Sequence, residues 1–167
     1  IAGLILFAFG SLEKQKYLAA TFCIVFSVYI KLFGIVAFAL FLFYPKKWKL
    51  AIYSLFWFAV LFVLPLLVIN FQEYMLQLSS WVNMLANDHA ASYGYSVLGW
   101  LHSWFGLDDI KISTLTAGIL LLWLPFLRIK QFKNEYFRYL MLSFILIWVV
   151  IFNHKAESPT FIIAMTG

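Results

Sequence analysis

Apolar runs separated by short charged clusters divide the chain. Residues 1–10 read as the end of an apolar segment, and 11–16 as a polar break carrying Glu13, Lys14 and Lys16. Residues 17–44 form an apolar stretch whose one charge is Lys31. A basic stop, Pro45-Lys46-Lys47-Trp48-Lys49, precedes a clean apolar run at 50–69 with Pro65 near its end. That run has about the 20 residues a helix needs to cross the hydrocarbon core of a membrane. Residues 112–127 form a shorter apolar run, followed by a second basic cluster at 128–138 with Arg128, Lys130, Lys133 and Arg138. A further run at 139–152 ends in Asn153-His154-Lys155-Ala156-Glu157-Ser158-Pro159, and a last one starts at Thr160.

The long connection, 70–111, has a pattern of its own. Phe71, Met75, Leu78, Val82 and Leu85 recur at helical spacing, with Gln72, Glu73, Gln77, Ser80 and Asn83 mostly between them. This predicts an amphipathic helix over 71–86 that suits a membrane interface. A polar turn carrying Asp88, His89, Tyr93 and Ser96 follows. Val97, Leu98, Leu101, Trp104 and Phe105 then predict a second short helix, capped by Gly106.

Composition sharpens this picture. Of the residues, 65% are hydrophobic and 21% aromatic, with 12 Lys+Arg and 7 Asp+Glu. A soluble fold of this size cannot hide that much apolar surface. A soluble enzyme, a nucleic-acid module and a disordered chain are therefore poor readings. The single cysteine, Cys23, excludes an internal disulfide and suits a buried small hydrophobe. The histidines His89, His102 and His154 lack metal-site spacing, and no phosphate-cradling or nucleophile-elbow motif is present, so no metal or cofactor is implied. His102, on the second short helix, reads as a solvated face residue. With Ile1 at its start and an apolar run at its end, the sequence reads as part of a longer polytopic membrane protein.

Charge bias orients the segments. The two basic clusters hold seven Lys/Arg and one acid, Glu135, whereas 70–111 holds Glu73, Asp88, Asp108 and Asp109 against Lys111. By the positive-inside rule, both basic clusters face the cytoplasm, and 70–111 and 153–158 face outside. Residues 17–44 are then awkward. As one helix they reach about 42 Å, long for one span and short for two. Both ends are basic, which favours two half-spans broken near Lys31 and Gly34 over a single tilted helix. Irregular backbone at depth is tolerated where it lines a cavity.

Chemistry converges on the outer side. Lys31 sits in the middle of an apolar run beside Tyr29 and Phe33, and suits an anionic group such as a lipid phosphate. Its plainer reading is a lysine that snorkels to the interface. Asp88 and His89 are candidates set in a turn, where polar residues are ordinary. Tyr93 and Ser96 are weaker candidates that also suit plain loop roles. His154 and Glu157 share a face if their segment is helical, and Lys155 adds a charge beside them. A short solvated loop ended by Pro159 accounts for the same residues.

The run Y-I-K-L-F-G-I-V-A-F-A-L-F-L-F-Y-P-K-K-W-K resembles the lysine-centred helix and basic stop of glycosyltransferase family 87. The segment 71–86, the turn D-H-A-A-S-Y-G-Y-S-V-L-G-W-L and the late N-H-K-A-E-S-P-T are similar in order and spacing. Where the family often has proline a few residues after the lysine, this chain has Gly34. The resemblance implies an all-α, polytopic helical bundle of the GT-C type, with interfacial amphipathic helices in one outer loop and this chain as its C-terminal half. It also implies a multi-pass enzyme, in bacteria of the inner membrane, moving a hexose such as mannose. The donor would be a polyprenyl-phosphate sugar and the acceptor a glycan or glycolipid on the outer face. The reaction would be an inverting displacement whose carboxylate base lies upstream of Ile1. Lys31, Asp88, His89, His154, Lys155 and Glu157 would bind the donor phosphate or substrate, with Tyr93 and Ser96 as further possibilities. Membrane lipid is a partner and nucleic acid is not. A transporter or flippase of lipid-linked sugars, or a non-catalytic membrane subunit, would share the lysine and the basic loops.

The charge bias is open to test. Cysteines at positions 47 and 133 should react with a membrane-impermeant reagent only after cells are opened. Labelling in intact cells would overturn the orientation.

Overall fold

A computed structural model describes residues 1–87, 96–107, 110–152 and 161–167. All regular structure among them is helical. The α-helices are α1 (Ala2–Glu13), α2 (Tyr17–Ile30), α3 (Lys47–Val63), α4 (Phe71–Ala86), α5 (Val97–Phe105), α6 (Lys111–Trp123), α7 (Glu135–Ile151) and α8 (Phe161–Met165). A 3-10 helix fills Leu32–Phe43, and shorter 3-10 turns at Leu64–Leu67 and Leu124–Leu127 end α3 and α6 at Pro65 and Pro125.

The core joins α1, α2, the Leu32–Phe43 segment, α7 and α8. Helical spacing decides which residues enter it. Ile5, Ala8, Phe9 and Leu12 form the inward stripe of α1, and Met141, Leu142, Ile145, Leu146, Val149 and Val150 a broad stripe on α7. Cys23 is buried in α2. Hydroxyls in these apolar helices bond to their own backbone: Thr21 donates to the Tyr17 carbonyl at 2.9 Å and Ser27 to that of Ile24 at 2.7 Å.

The outer helices differ. Lys47–Leu67, which is α3 with its closing turn, is long and apolar enough to cross a membrane, and 11% of its apolar window is buried. Leu55, Phe56, Ile119 and Leu120 stand exposed on α3 and α6. Ala2–Glu13, Tyr17–Ile30, Leu32–Phe43 and Lys111–Leu127 are apolar but shorter than a full span.

Residues 17–44 fold back on themselves. α2 ends at Ile30, Lys31 is extended at φ −150 and ψ 133, and the 3-10 helix begins at Leu32. The two arms match in length: fourteen residues of α-helix rise about 21 Å, and twelve of 3-10 helix about 24 Å. An α-helical return arm would stop several ångströms short. The fold-back is closed at its base by the Lys46 ammonium, 5.7 Å from the centroid of the Tyr17 ring. It is closed at its tip by Gly34, which lies against α2. A Cβ on Gly34 would sit 2.7 Å from the Ser27 carbonyl carbon and 2.8 Å from the Val28 nitrogen. Backbone cannot yield there as a side chain would, so the close approach requires glycine.

One carboxylate ties the base together. Glu13, at the end of α1, accepts from Arg138 Nε at 2.6 Å and Nη2 at 2.7 Å, and from the Tyr44 hydroxyl at 2.6 Å. The Arg138 and Glu13 side chains are 15% and 22% exposed. Arg138 Nη1 also donates to the carbonyls of Phe132 and Lys133. Beside this clamp, Phe43 packs on Phe126, Phe132 and Phe137 with ring centroids 4.9–6.1 Å away. The two basic clusters that charge bias places on one side of a membrane thus share one end of the molecule.

Two outcomes follow from this geometry. Gly34→Ala should cost about 1–3 kcal/mol of stability by overpacking the tip, read by denaturant unfolding in detergent. An unchanged midpoint would mean the arms are not in contact. The hydrogen bonds from Arg138 hold the Glu13 carboxyl below the usual carboxylate range, with the Tyr44 hydroxyl helping and burial opposing. Because the folded pKa is depressed, the clamp's contribution is full above the ordinary glutamate range. It fades as pH falls through the depressed value, on the acid side of the ordinary glutamate range. Glu13→Gln should cost about 1–2 kcal/mol at neutral pH and flatten that acid limb.

Candidate functional site

The helix of the 70–111 connection nearest Lys31 is α4, and its bounds are those that hydrophobic periodicity predicts. The Asn70 side chain caps it, accepting from the Glu73 amide at 2.8 Å. Tyr74, Gln77, Leu78 and Trp81, a stripe at i, i+3, i+4 and i+7, turn towards α2 and α3. Phe71, Met75, Val82 and Leu85, the apolar face that suits a membrane interface, are exposed, as is Trp81. Both faces of α4 are apolar, and the neighbouring α3 selects between them: the Tyr74 hydroxyl donates to the Phe62 carbonyl at 2.9 Å, and the two rings meet edge-on at 5.7 Å.

Between α4, α3 and the tip of the fold-back runs a groove of about 560 Å³. Its walls are aliphatic and aromatic, with Tyr29, Phe58, Phe62 and Trp81 the largest surfaces. The Tyr29 and Tyr74 hydroxyls are already used, each donating to a carbonyl of α3. Gln77 contributes the groove's remaining amide. Tyr29 and Leu32, which flank Lys31 closely in sequence, both line it. Lys31 itself is exposed at the fold-back tip, and its ammonium makes no ion pair or hydrogen bond with any described residue. Along α2 it stands about 20 Å from the basic end.

A second, small cleft lies between α5, α6 and the end of α7. Ser96, Lys111, Thr114 and Phe152 are among its lining residues. Ser96 is almost fully buried and caps α5, accepting from the Gly99 amide at 3.3 Å. Gly106 closes that helix in the left-handed region at φ 61. Trp148 Nε1 donates to the Gly118 carbonyl at 2.7 Å, pinning α7 to α6. Phe152 stands about 21 Å along α7 from Arg138. Among the described residues the groove and the cleft share no lining residue. Asp88, His89, Tyr93, His154, Lys155 and Glu157 lie outside the described residues, as do Asp108 and Asp109. The segments that carry the first six end at Ser96 and begin after Phe152, both of which line the small cleft.

Residues 1–152 match glycosyltransferase family 87. The chain belongs to glycosyltransferase family 87. No curated protein and no solved structure matches it. Family 87 is a family of membrane-associated glycosyltransferases, which bind a sugar donor and an acceptor. Of the three readings open to sequence, it selects the enzyme.

The groove lining and the Glu13–Arg138–Tyr44 clamp are the features that sequence reasoning missed. For the groove a signal existed in the second helical stripe of α4, Tyr74 to Trp81. For the clamp it was weaker, a single acid beside the lysines of a short polar break.

Proposed function

We propose that this family 87 chain is the C-terminal part of a multi-pass GT-C enzyme of the bacterial inner membrane. It transfers a hexose such as mannose from a polyprenyl-phosphate donor to a glycan or glycolipid acceptor on the extracytoplasmic face. One observation carries the reading: Lys31, which makes no ion pair or hydrogen bond with any described residue, stands at the tip of a fold-back whose neighbouring residues line a large apolar groove. A lipid-phosphate donor needs both features in that order. Its isoprenoid tail gains from apolar, aromatic walls, and its phosphate needs a cation where water is scarce.

The chemistry assigned to these residues is limited and concrete. As the bond from the sugar to the phosphate oxygen breaks, negative charge grows on the leaving phosphate. The Lys31 ammonium faces that charge and stabilises it more in the transition state than in the ground state. The groove between α3 and α4 holds the tail and fixes the phosphate against Lys31. Asp88, His89, His154, Lys155 and Glu157 are proposed to complete the donor and acceptor pocket from the same end. The carboxylate that takes the acceptor proton is not assigned to a residue.

Lys31→Met keeps the side-chain length and removes the charge. In the intact enzyme it should lower transfer from a polyprenyl-phosphate donor by an amount on the order of 2–4 kcal/mol in transition-state stabilisation. Folding, read by helix content and unfolding midpoint, should stay close to the parent. Parent-level transfer by this variant would return Lys31 to a snorkelling role.

A further inference from the structure

Nine of the twelve Lys and Arg residues lie at 14–16, 46–49 and 128–138, at the clamp end, together with Glu13 and Glu135. Arg138 occupies Glu13, and Glu135 sits in the first turn of α7, where the helix dipole favours a negative charge. The remaining cations face outward with no carboxylate beside them among the described residues. Within this surface, Leu127, Arg128, Ile129, Lys130 and Gln131 line an open concavity of about 490 Å³. Arg128 and Lys130 are exposed, and no ion pair with a described residue occupies either.

The concavity is built rather than frayed. Phe126 on one side of it is buried, and Phe132 on the other packs edge-on against Phe43 at 4.9 Å. Backbone bonds from the Arg128 amide to Pro125 at 3.1 Å and from the Gln131 amide to Arg128 at 2.9 Å hold the turn between them. Two cations and two aliphatic side chains are thus presented together, with Leu127 79% and Ile129 70% exposed. At the same end Trp48 is 84% and Tyr136 81% exposed, the residue types that sit at the head-group level of a membrane.

We propose that the 127–131 turn is a head-group site for an anionic phospholipid of the leaflet at the clamp end. Arg128 and Lys130 hold the phosphate, and Leu127 and Ile129 enter the region of the acyl chains. Two cations on one turn fit a phosphodiester that no choline ammonium neutralises, while the interleaved aliphatic side chains favour a lipid over free phosphate or nucleic acid. The proposal rests on the membrane reading of this family 87 chain but not on its donor or sugar.

Native mass spectrometry of the intact protein, released from mixed phosphatidylglycerol and phosphatidylcholine micelles, tests it. Phosphatidylglycerol should be retained in preference to phosphatidylcholine. Each basic side chain near an anionic surface is worth roughly five-fold in affinity, so R128Q/K130Q should lower phosphatidylglycerol retention about twenty-five-fold. Phosphatidylcholine retention should not change, and R128K/K130R should keep the preference. Equal retention of the two lipids by the parent overturns the site. So does unchanged phosphatidylglycerol retention by R128Q/K130Q, or its loss on adding millimolar inorganic phosphate. No sugar donor enters the assay, so loss of transfer in Lys31→Met and loss of lipid here are separate failures. A protein that stays monodisperse without detergent or lipid would remove the membrane reading and this site together.

Discussion

The bidentate contact between Arg138 and Glu13 joins residues 125 positions apart. Everything at the basic end is arranged around it. Glu13 ends α1, Tyr44 ends the fold-back arm, and Arg138 lies in the first turns of α7, so one carboxylate gathers three elements. A carboxylate so shielded would be costly alone; with two guanidinium bonds and a phenol it is satisfied. The aromatic cluster of Phe43, Phe126, Phe132 and Phe137 packs beside it, adding apolar contact to the ion pair.

The distant consequence is the position of Lys31. With Tyr17 and Lys46 held together, the residues between them must turn back, and they turn at Lys31, the extended residue that joins α2 to the 3-10 helix. The lysine is carried about 20 Å from the basic end. Gly34 lets the return arm touch α2, and Tyr29 reaches across to donate to Phe58 of α3. Tyr74 repeats that tie one turn higher, from α4 to Phe62. The groove is the space these ties leave between three elements, and it opens beside Lys31, a cation that no described carboxylate neutralises. A membrane glycosyltransferase using a lipid-phosphate donor needs such a place.

Much of the helical layout was legible because apolar spacing and charge punctuation agree. The bounds of α4 and α5 follow from periodicity, and the break near Lys31 from basic residues at both ends of an overlong stretch. Other features depend on partners distant in sequence. Hydropathy does not distinguish a 3-10 arm from an α-helical one; the distance back to Glu13 does. Periodicity finds two apolar faces on α4, and Phe62 selects the Tyr74 face. Glu13 looks like one more charge in a turn until Arg138 is brought to it. Lys31 stood out as a charge in an apolar run, but its groove did not, since Phe58 and Trp81 resemble every other aromatic residue of the chain. Pro65 and Pro125 further shorten what hydropathy reads as continuous runs, by closing α3 and α6 with 3-10 turns.

The closeness of the two ends of the fold-back is the claim on which Lys31 and the groove both depend. Spin labels on Lys16→Cys and Lys47→Cys, in a Cys23→Ala background, measure it in lipid bilayers by pulsed dipolar spectroscopy. Both lysines are exposed, so the labels leave the core undisturbed. Ends that meet, as Lys46 meets the Tyr17 ring, give an inter-label distance of at most about 20 Å once the label linkers are included. One continuous helix through 17–44 would separate the labels by about 45 Å, and a distance in that range would contradict the fold-back and the site built on it.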